Sequence, residues 1–147
     1  MKVNRIALVA GICLCLAIVS QIAQSQAIQH NRPATVRIGG WALTHDGNIV
    51  KNFVYTGSCP VHLQFAWGVI PNEPLEIKYH FERSDGAHAP AGQQLLPKAN
   101  TSVDVIETWD LGANNLPEFR DFKGWEDLVI DIPNHVSQKI NFTLHCR

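Results

Sequence analysis

The chain has 147 residues, 46% of them hydrophobic, with 12 Lys/Arg against 13 Asp/Glu for a net charge of −1. This is enough chain for one ordinary domain with a real core. No basic run lies beyond the first few residues, which argues against a nucleic-acid groove or a polybasic membrane patch.

The amino terminus reads as a secretory signal. Lys2 and Arg5 make a short basic start, Ile6 to Val19 is almost wholly apolar, and Ser25-Gln26-Ala27 puts small residues at the last and third-last positions. The apolar run is shorter than the roughly 20 residues of a spanning helix, so no transmembrane anchor is expected. Residues 1–27 are thus expected to be a cleaved signal peptide and residues 28–147 a domain folding outside the cytoplasm, secreted or periplasmic. Loss of Lys2 and Arg5 leaves 10 basic against 13 acidic side chains, a net charge of −3, which favours solubility. Cys13 and Cys15 leave with the signal. Ile12 and Leu14 stand where a lipidation signal needs a small residue, so no lipid anchor is expected. Cys59 and Cys146 remain. An even pair in an exported domain is expected to form one disulfide, the alternative being two separate buried thiols.

Residues 28–34 read as a lead-in. Val36 to Leu43 and Ile49 to Tyr55 read as strands around a turn at Asp46-Gly47. Val61, Leu63, Phe65, Trp67 and Val69 alternate with His62, Gln64, Ala66 and Gly68, the period of a half-buried strand. Pro71-Asn72-Glu73-Pro74 breaks the run. Leu75, Ile77, Tyr79 and Phe81 alternate in the same way, and the two runs together predict an antiparallel hairpin. Ser84-Asp85-Gly86 reads as a turn. Ala87 to Asn100, with Pro90, Gly92 and Pro97, reads as an irregular edge segment. Val103, Val105, Trp109 and Leu111 make a further strand, with Ile106 off phase and a bulge expected there. Gly112 to Gly124 reads as a loop carrying Leu116, Phe119 and Phe122. Trp125, Leu128, Ile130 and Ile132 begin a strand stopped by Pro133-Asn134, and Ile140, Phe142, Leu144 and Cys146 alternate in the last. About seven strands without an amphipathic helix predict an all-β fold, an antiparallel immunoglobulin-like β-sandwich with one disulfide.

The string Gly57-Ser58-Cys59-Pro60 precedes an alternating strand. Tyr79-His80-Phe81-Glu82-Arg83-Ser84-Asp85-Gly86-Ala87 follows, then Trp109, Gly124-Trp125 with Leu128 and Ile130, Pro133-Asn134, and Phe142-Thr143-Leu144-His145-Cys146. Over about residues 50–147 this resembles a small immunoglobulin-like β-sandwich module of exported bacterial proteins. The resemblance implies that fold and compartment and a pairing of the early and final cysteines. It carries no catalytic residues.

Seven histidines invite a metal reading. If Ile70 pairs with Leu75 in the expected hairpin, His62 and His80 fall on polar faces about three residues out of register. Zinc needs three or four ligands, and nothing supplies the rest; solvated strand histidines are the better reading. Met1 is the only methionine, which disfavours copper transport. Asp104 to Asp131 holds eight acids: Asp104, Glu107, Asp110, Glu118, Asp121, Glu126, Asp127 and Asp131. They could serve acid–base chemistry or calcium, yet no calcium-loop spacing is present, and a solvated acidic face is the better reading. Ser84-Asp85-Gly86 lacks a nucleophile-elbow context. Asn100-Thr101-Ser102 and Asn141-Phe142-Thr143 match the glycosylation pattern, relevant only to a eukaryotic secretory route.

Trp67 and Trp109 continue apolar registers and are expected in the core. Trp41 and Trp125 follow glycines and are the surface candidates. With Leu116 and Phe119 they form the expected binding residues, for a protein or carbohydrate surface. The expectation is a non-enzymatic binding module with no cofactor, no metal and no catalytic residues. The alternatives are a hydrolase or metal-dependent enzyme using residues 104–131, which requires convergent carboxylates of unequal pKa, and a carrier of a small apolar ligand between the sheets.

Overall fold

A computed structural model describes residues 32–112 and 120–147. The expected signal peptide and the loop residues Leu116, Glu118 and Phe119 lie outside them. Residues 34–147 form one all-β unit. Among the described residues its strands are β1 (Val36–His45), β2 (Asn48–Ile49), β3 (Val54–Gly57), β4 (Val61–Pro71), β5 (Leu75–Arg83), β6 (Gly92–Leu96), β7 (Val103–Leu111), β8 (Asp121–Ile132) and β9 (Val136–Cys146). They divide into a four-stranded sheet, β2-β1-β4-β7, and a five-stranded sheet, β3-β9-β8-β5-β6. Every named pair is antiparallel except β3 with β9. With β4 and β7 side by side in one layer and β5, β8 and β9 in the other, the division is that of an immunoglobulin-like sandwich.

The alternating apolar residues form the space between the layers. Leu63, Phe65, Trp67 and Val69 of β4 are fully buried, as are Ile77 of β5, Leu128 and Ile130 of β8 and Leu144 of β9. Phe65 meets Phe142 edge-on at 5.3 Å, and Trp67 lies 5.5 Å from Phe81. Both contacts join strands of opposite sheets. The Trp67 indole N–H donates to the Gln138 carbonyl at 2.7 Å, so the buried donor is satisfied across the sandwich. Trp109 is also in the core, against Phe142 and Phe122.

Several connections differ from expectation. Val61–Val69 and Leu75–Phe81 do not form a hairpin. β4 pairs with β1 and β7, whereas β5 pairs with β6 and β8, so the Pro71–Pro74 link carries the chain from one sheet to the other. Both strands still bury one face, but the faces meet across the core. The Ile49–Tyr55 run is also not one strand. It splits into β2 and β3, on different sheets, around a 3-10 turn at Lys51–Phe53. Asn52 and Phe53 there have φ of 54° and 57°. β7 has no bulge at Ile106. Its pairing with β4 is continuous from Val103 to Leu111, Ile106 points outward, and the inward position belongs to Glu107. The irregularities lie at Ile38/Gly40 and Lys78/Tyr79. Part of the Ala87–Asn100 segment is regular: β6 forms the edge beyond β5. β8 begins at Asp121 and β9 at Val136, both earlier than the apolar pattern suggests.

Two local devices fix the ends of the fold. Asp46 and Gly47 both have positive φ, as a two-residue hairpin turn between right-twisted strands requires. Asn134 pairs with the backbone of Val36, accepting its N–H at 2.7 Å and donating to its carbonyl at 3.1 Å. The side chain of a β8–β9 turn residue thereby holds the start of β1.

Cys59 and Cys146 are bonded, with their Cα atoms 5.5 Å apart and 87 residues of separation. A Cβ on Gly112 would lie 2.8 Å from Cys59 Cβ and 3.0 Å from its Sγ, and Gly112 has φ of +77°. Reduction of the bond is expected to lower stability by about 4–5 kcal/mol, the loop-closure entropy of so long a loop. Urea denaturation with and without reductant measures this. Gly112→Ala should destabilise the oxidised protein and weaken protection of the bond, read as faster labelling of thiols under mild reduction.

Candidate functional site

The outer face of the five-stranded sheet carries aromatic, charged and amide side chains together. Alternation on β8 and β9 turns Trp125, Asp127, Lys139, Asn141 and Thr143 outward, and β5 adds His80 and Glu82. A groove of about 320 Å³ opens here, lined by Asn52, Phe53, Lys123, Gly124, Trp125, Asn141, Phe142 and Thr143. Its volume is at the low end of the roughly 300–1,000 Å³ of small-molecule sites. The rim is the 3-10 turn, where left-handed backbone at a bulky Phe53 is a genuine outlier of the kind found at binding sites. The lining contains one ammonium group and no carboxylate. A second ammonium, that of Lys139, sits 3.7 Å from the centre of the Trp125 ring, a contact worth about 0.5–1 kcal/mol at an exposed position.

On the same outer face, His80 of β5 bonds Asp131 through Nδ1 at 2.9 Å and approaches Glu82 at 3.7 Å. Asp127 is buried, and one of its carboxylate oxygens has no hydrogen-bond partner. Burial raises its pKa, opposed by the charge of Lys139. The other strand histidines are also matched to carboxylates. His62 meets Asp110 at 2.6 Å and His145 meets Asp121 at 2.5 Å. His62 and His80 lie in different sheets, which removes the register on which their expected separation rested. Among the described residues no cluster of three or more His, Cys, Asp or Glu could hold a metal ion.

On the inner face, the acidic stretch departs from a solvated surface. Glu126 is fully buried, and neither of its carboxylate oxygens has a partner. Its register partner across the ladder is Arg83 of β5, on the same inner face. Yet Arg83 forks instead to Asp85, with Nη2 at 2.6 Å and Nε at 3.2 Å, and its guanidinium lies 4.3 Å from the Trp109 ring centre. Burial pushes the Glu126 carboxyl up to about 8. The charge of Arg83 opposes the rise, and Glu107 and Asp85 add to it. Glu107, turned inward from β7 of the facing sheet, is raised by burial, and Arg83 again opposes. The hydrogen bond from Arg83 holds Asp85 below the usual carboxylate range, and the same bond raises Arg83. Asp104 and Asp110 face out of the other sheet, and Asp121 and Asp131 are exposed elsewhere. The seven of these acids that lie among the described residues therefore do not form one site.

The groove and the inner cluster touch through one strand end. Trp125 donates its backbone N–H to Ser84 Oγ at 3.1 Å, and Ser84 donates its own to the Trp125 carbonyl at 3.0 Å. Gly124 leaves room for this: an added Cβ would lie 2.9 Å from Ser84 Oγ and closer still to Phe122 and Phe142.

Of the expected binding residues, Trp125 is half-buried on the groove. Trp41 is 46% exposed but lies elsewhere, as the register partner of Trp67 on β1. Because β2 pairs only at Thr44 and His45, β1 is an edge at Trp41. The structure thus does not bring the two tryptophans together, and Leu116 and Phe119 lie outside the described residues. The sequence assigns Arg83 no role and places Glu107 and Glu126 on a solvated acidic face, whereas the structure turns all three inward. All three occupy the apolar phase of their strands, after Tyr79 and Phe81, between Val105 and Trp109, and before Leu128 and Ile130. A charge in phase with core residues on three strands was the available signal.

The buried carboxyl makes a signed prediction. A folded-state pKa raised above the usual value means the unfolded chain binds fewer protons between about pH 4.5 and 8. Stability is then fully present below that window and falls as pH rises through it, by up to about 1.4 kcal/mol per pH unit. Urea midpoints at pH 5, 6.5 and 8 should show this fall. In Glu126→Gln the fall should largely vanish, leaving the variant the more stable protein at pH 8. No protein-family model matches the chain, and no curated protein matches it.

Proposed function

We propose that the protein is an exported, non-enzymatic binding module that holds a carbohydrate surface in the groove over Trp125. The observation that carries this reading is the juxtaposition of an aromatic ring with hydrogen-bonding side chains. Trp125, Asn52, Asn141, Thr143 and Lys123 share one groove, closed by a turn held in left-handed backbone. An indole offers the flat apolar face of a sugar ring a stacking partner. Amide, hydroxyl and ammonium groups around it match sugar hydroxyls in both donor and acceptor capacity. A rigid sandwich with recognition at its surface needs no catalytic set.

Export is supported by the basic, apolar and small-residue order of residues 1–27 and by a disulfide of the kind that persists in oxidising compartments. No helix among the described residues is long and apolar enough to cross a membrane. The resemblance to small immunoglobulin-like modules of exported bacterial proteins agrees with this reading. The enzymatic alternative is less well supported: the most perturbed carboxyl, Glu126, is enclosed between the sheets. The apolar-carrier alternative has to contend with the aromatic packing of Phe65, Trp67, Phe81 and Phe142 in the same space.

The test is a glycan array probed with the purified protein and with Trp125→Ala. Trp125 is only half-buried, so the variant should melt within a few degrees of the parent. It should lose at least tenfold in retention of whichever glycans the parent holds. Retention of none, or equal retention by both proteins, overturns the reading. Phe65→Ala is the contrasting control and should cost about 3–5 kcal/mol of stability.

A further inference from the structure

Arg83 stands between two carboxylates and has taken the more exposed one. Glu126 is its register partner, and Cβ atoms of such partners are about 4.5–5.5 Å apart. An ion pair with Glu126 is thus available without movement of either strand. Instead the guanidinium forks to Asp85, two residues along the chain, and rests on Trp109. Glu126 is left buried with both oxygens unpartnered. An unpaired buried carboxylate is costly, whereas a neutral carboxyl is much less so. The observed arrangement is therefore the one suited to a protonated Glu126.

The groups facing Glu126 make the alternative arrangement specific. From β5 and its following turn come Arg83 and Asp85, and from β7 of the facing sheet comes Glu107. On β9 its register partner is the apolar Ile140. Arg83 is the cation acting on it, and its guanidinium is already committed to Asp85. An ionised Glu126 would compete with Asp85 for the same guanidinium. Asp85 also accepts the Ala87 N–H at 3.0 Å, so it organises the turn that Arg83 steadies. Ser84 lies between these two residues and makes both backbone-linked bonds to Trp125.

We propose that proton loss from Glu126 moves Arg83 from Asp85 to Glu126 and thereby loosens the Ser84–Trp125 pair, making the groove responsive to pH. This rests on the reading of that groove as the binding surface, but the coupling can be measured without a ligand. The regulated element is the rotamer of one arginine, with two carboxylates competing for it.

The experiment is a pH titration of the purified protein, labelled with ¹³C and ¹⁵N, between pH 5 and 9.5. It follows the Glu126 carboxyl carbon, the Arg83 side-chain N–H, and the Ser84 and Trp125 amides. The expected result is one shared midpoint near 8 for all four. Asp85→Asn, an exposed change that frees Arg83, should lower that midpoint. Glu126→Gln should abolish the response at Ser84 and Trp125. Should Glu126→Gln not fold, the co-titration of the parent and the shift in Asp85→Asn decide the matter. The proposal is overturned if Glu126 titrates in the ordinary carboxylate range. It is equally overturned if Glu126 titrates near 8 while the Ser84 and Trp125 amides stay still. A protein that passes this test while Trp125→Ala leaves glycan retention unchanged would have the coupling but not the proposed binding surface.

Discussion

The two sheets are held in one relative position by Trp67. Its ring is fully buried between the layers, stacks with Phe65 in its own strand and contacts Phe81 of the opposite sheet. Shape alone would tolerate small slides of such a ring. The indole N–H does not, because a buried donor must keep its acceptor. That acceptor is the carbonyl of Gln138 on β9. β3 joins β9 only from Thr143 onward, so β9 is still an edge at Gln138 and its carbonyl can be reached from outside the ladder. One bond therefore fixes β9 against β4. The same strand carries Asn141 and Thr143 on its other face, at the groove. The geometry of the outer surface is thus set by packing within the core.

The interior is apolar along most of its length and becomes ionic at one end. Phe81 and Leu128 are register partners, and the next inward pair is Arg83 with Glu126. Two residues of strand separate ordinary core packing from a cluster of ionisable side chains, of which Glu126 is the buried member. Trp109 belongs to both regions, with Phe142 and Phe122 near its ring and the Arg83 guanidinium over it. Such an arrangement is not needed for stability, since well-packed apolar residues would serve at least as well. Its position at the strand end that holds Trp125 is what gives the cluster functional interest.

Much of the architecture was legible in the alternation of residues. Val61 to Val69 declares a strand because five apolar residues at period two line one face of an extended chain, whereas on a helix they would scatter around the axis. The same signal is silent about pairing. β4 and β5 look like a hairpin because each buries one face, and nothing in their side chains says whether the next strand lies beside or opposite. Ile49 to Tyr55 departs from the single strand its composition predicts for another reason. Its apolar composition suits a strand, but the chain must leave one sheet edge and join the other, and the backbone turns at Asn52 and Phe53 to do so. The irregularity in the apolar pattern of β7 belongs to Glu107 and not to Ile106. Val103, Val105, Trp109 and Leu111 keep perfect phase once Glu107 is allowed inward, and the outlier is the buried acid, not the exposed isoleucine. Trp125 was recognisable as a surface aromatic, whereas its groove depends on a turn more than 70 residues away in sequence and could not be read locally.

The bond between Cys59 and Cys146 also decides how the domain carries mechanical load. A pull applied between residue 34 and Arg147 travels along β1, β2 and β3 to Cys59, crosses the disulfide, and leaves at Cys146. Residues 60–145 are outside that covalent path and bear no direct tension. Of the three loaded strands, β3 lies parallel to β9, with Gly57 opposite Cys146, so the pull runs the length of β3 and meets β9 only at its last residue. Tension can strip the first strands from their neighbours, but it has no covalent route into β4, β5, β7 and β8. The groove straddles the boundary: its floor on β8 and β9 lies outside the loaded path, whereas its rim at Asn52 and Phe53 lies on it, so tension would open the groove from the rim side.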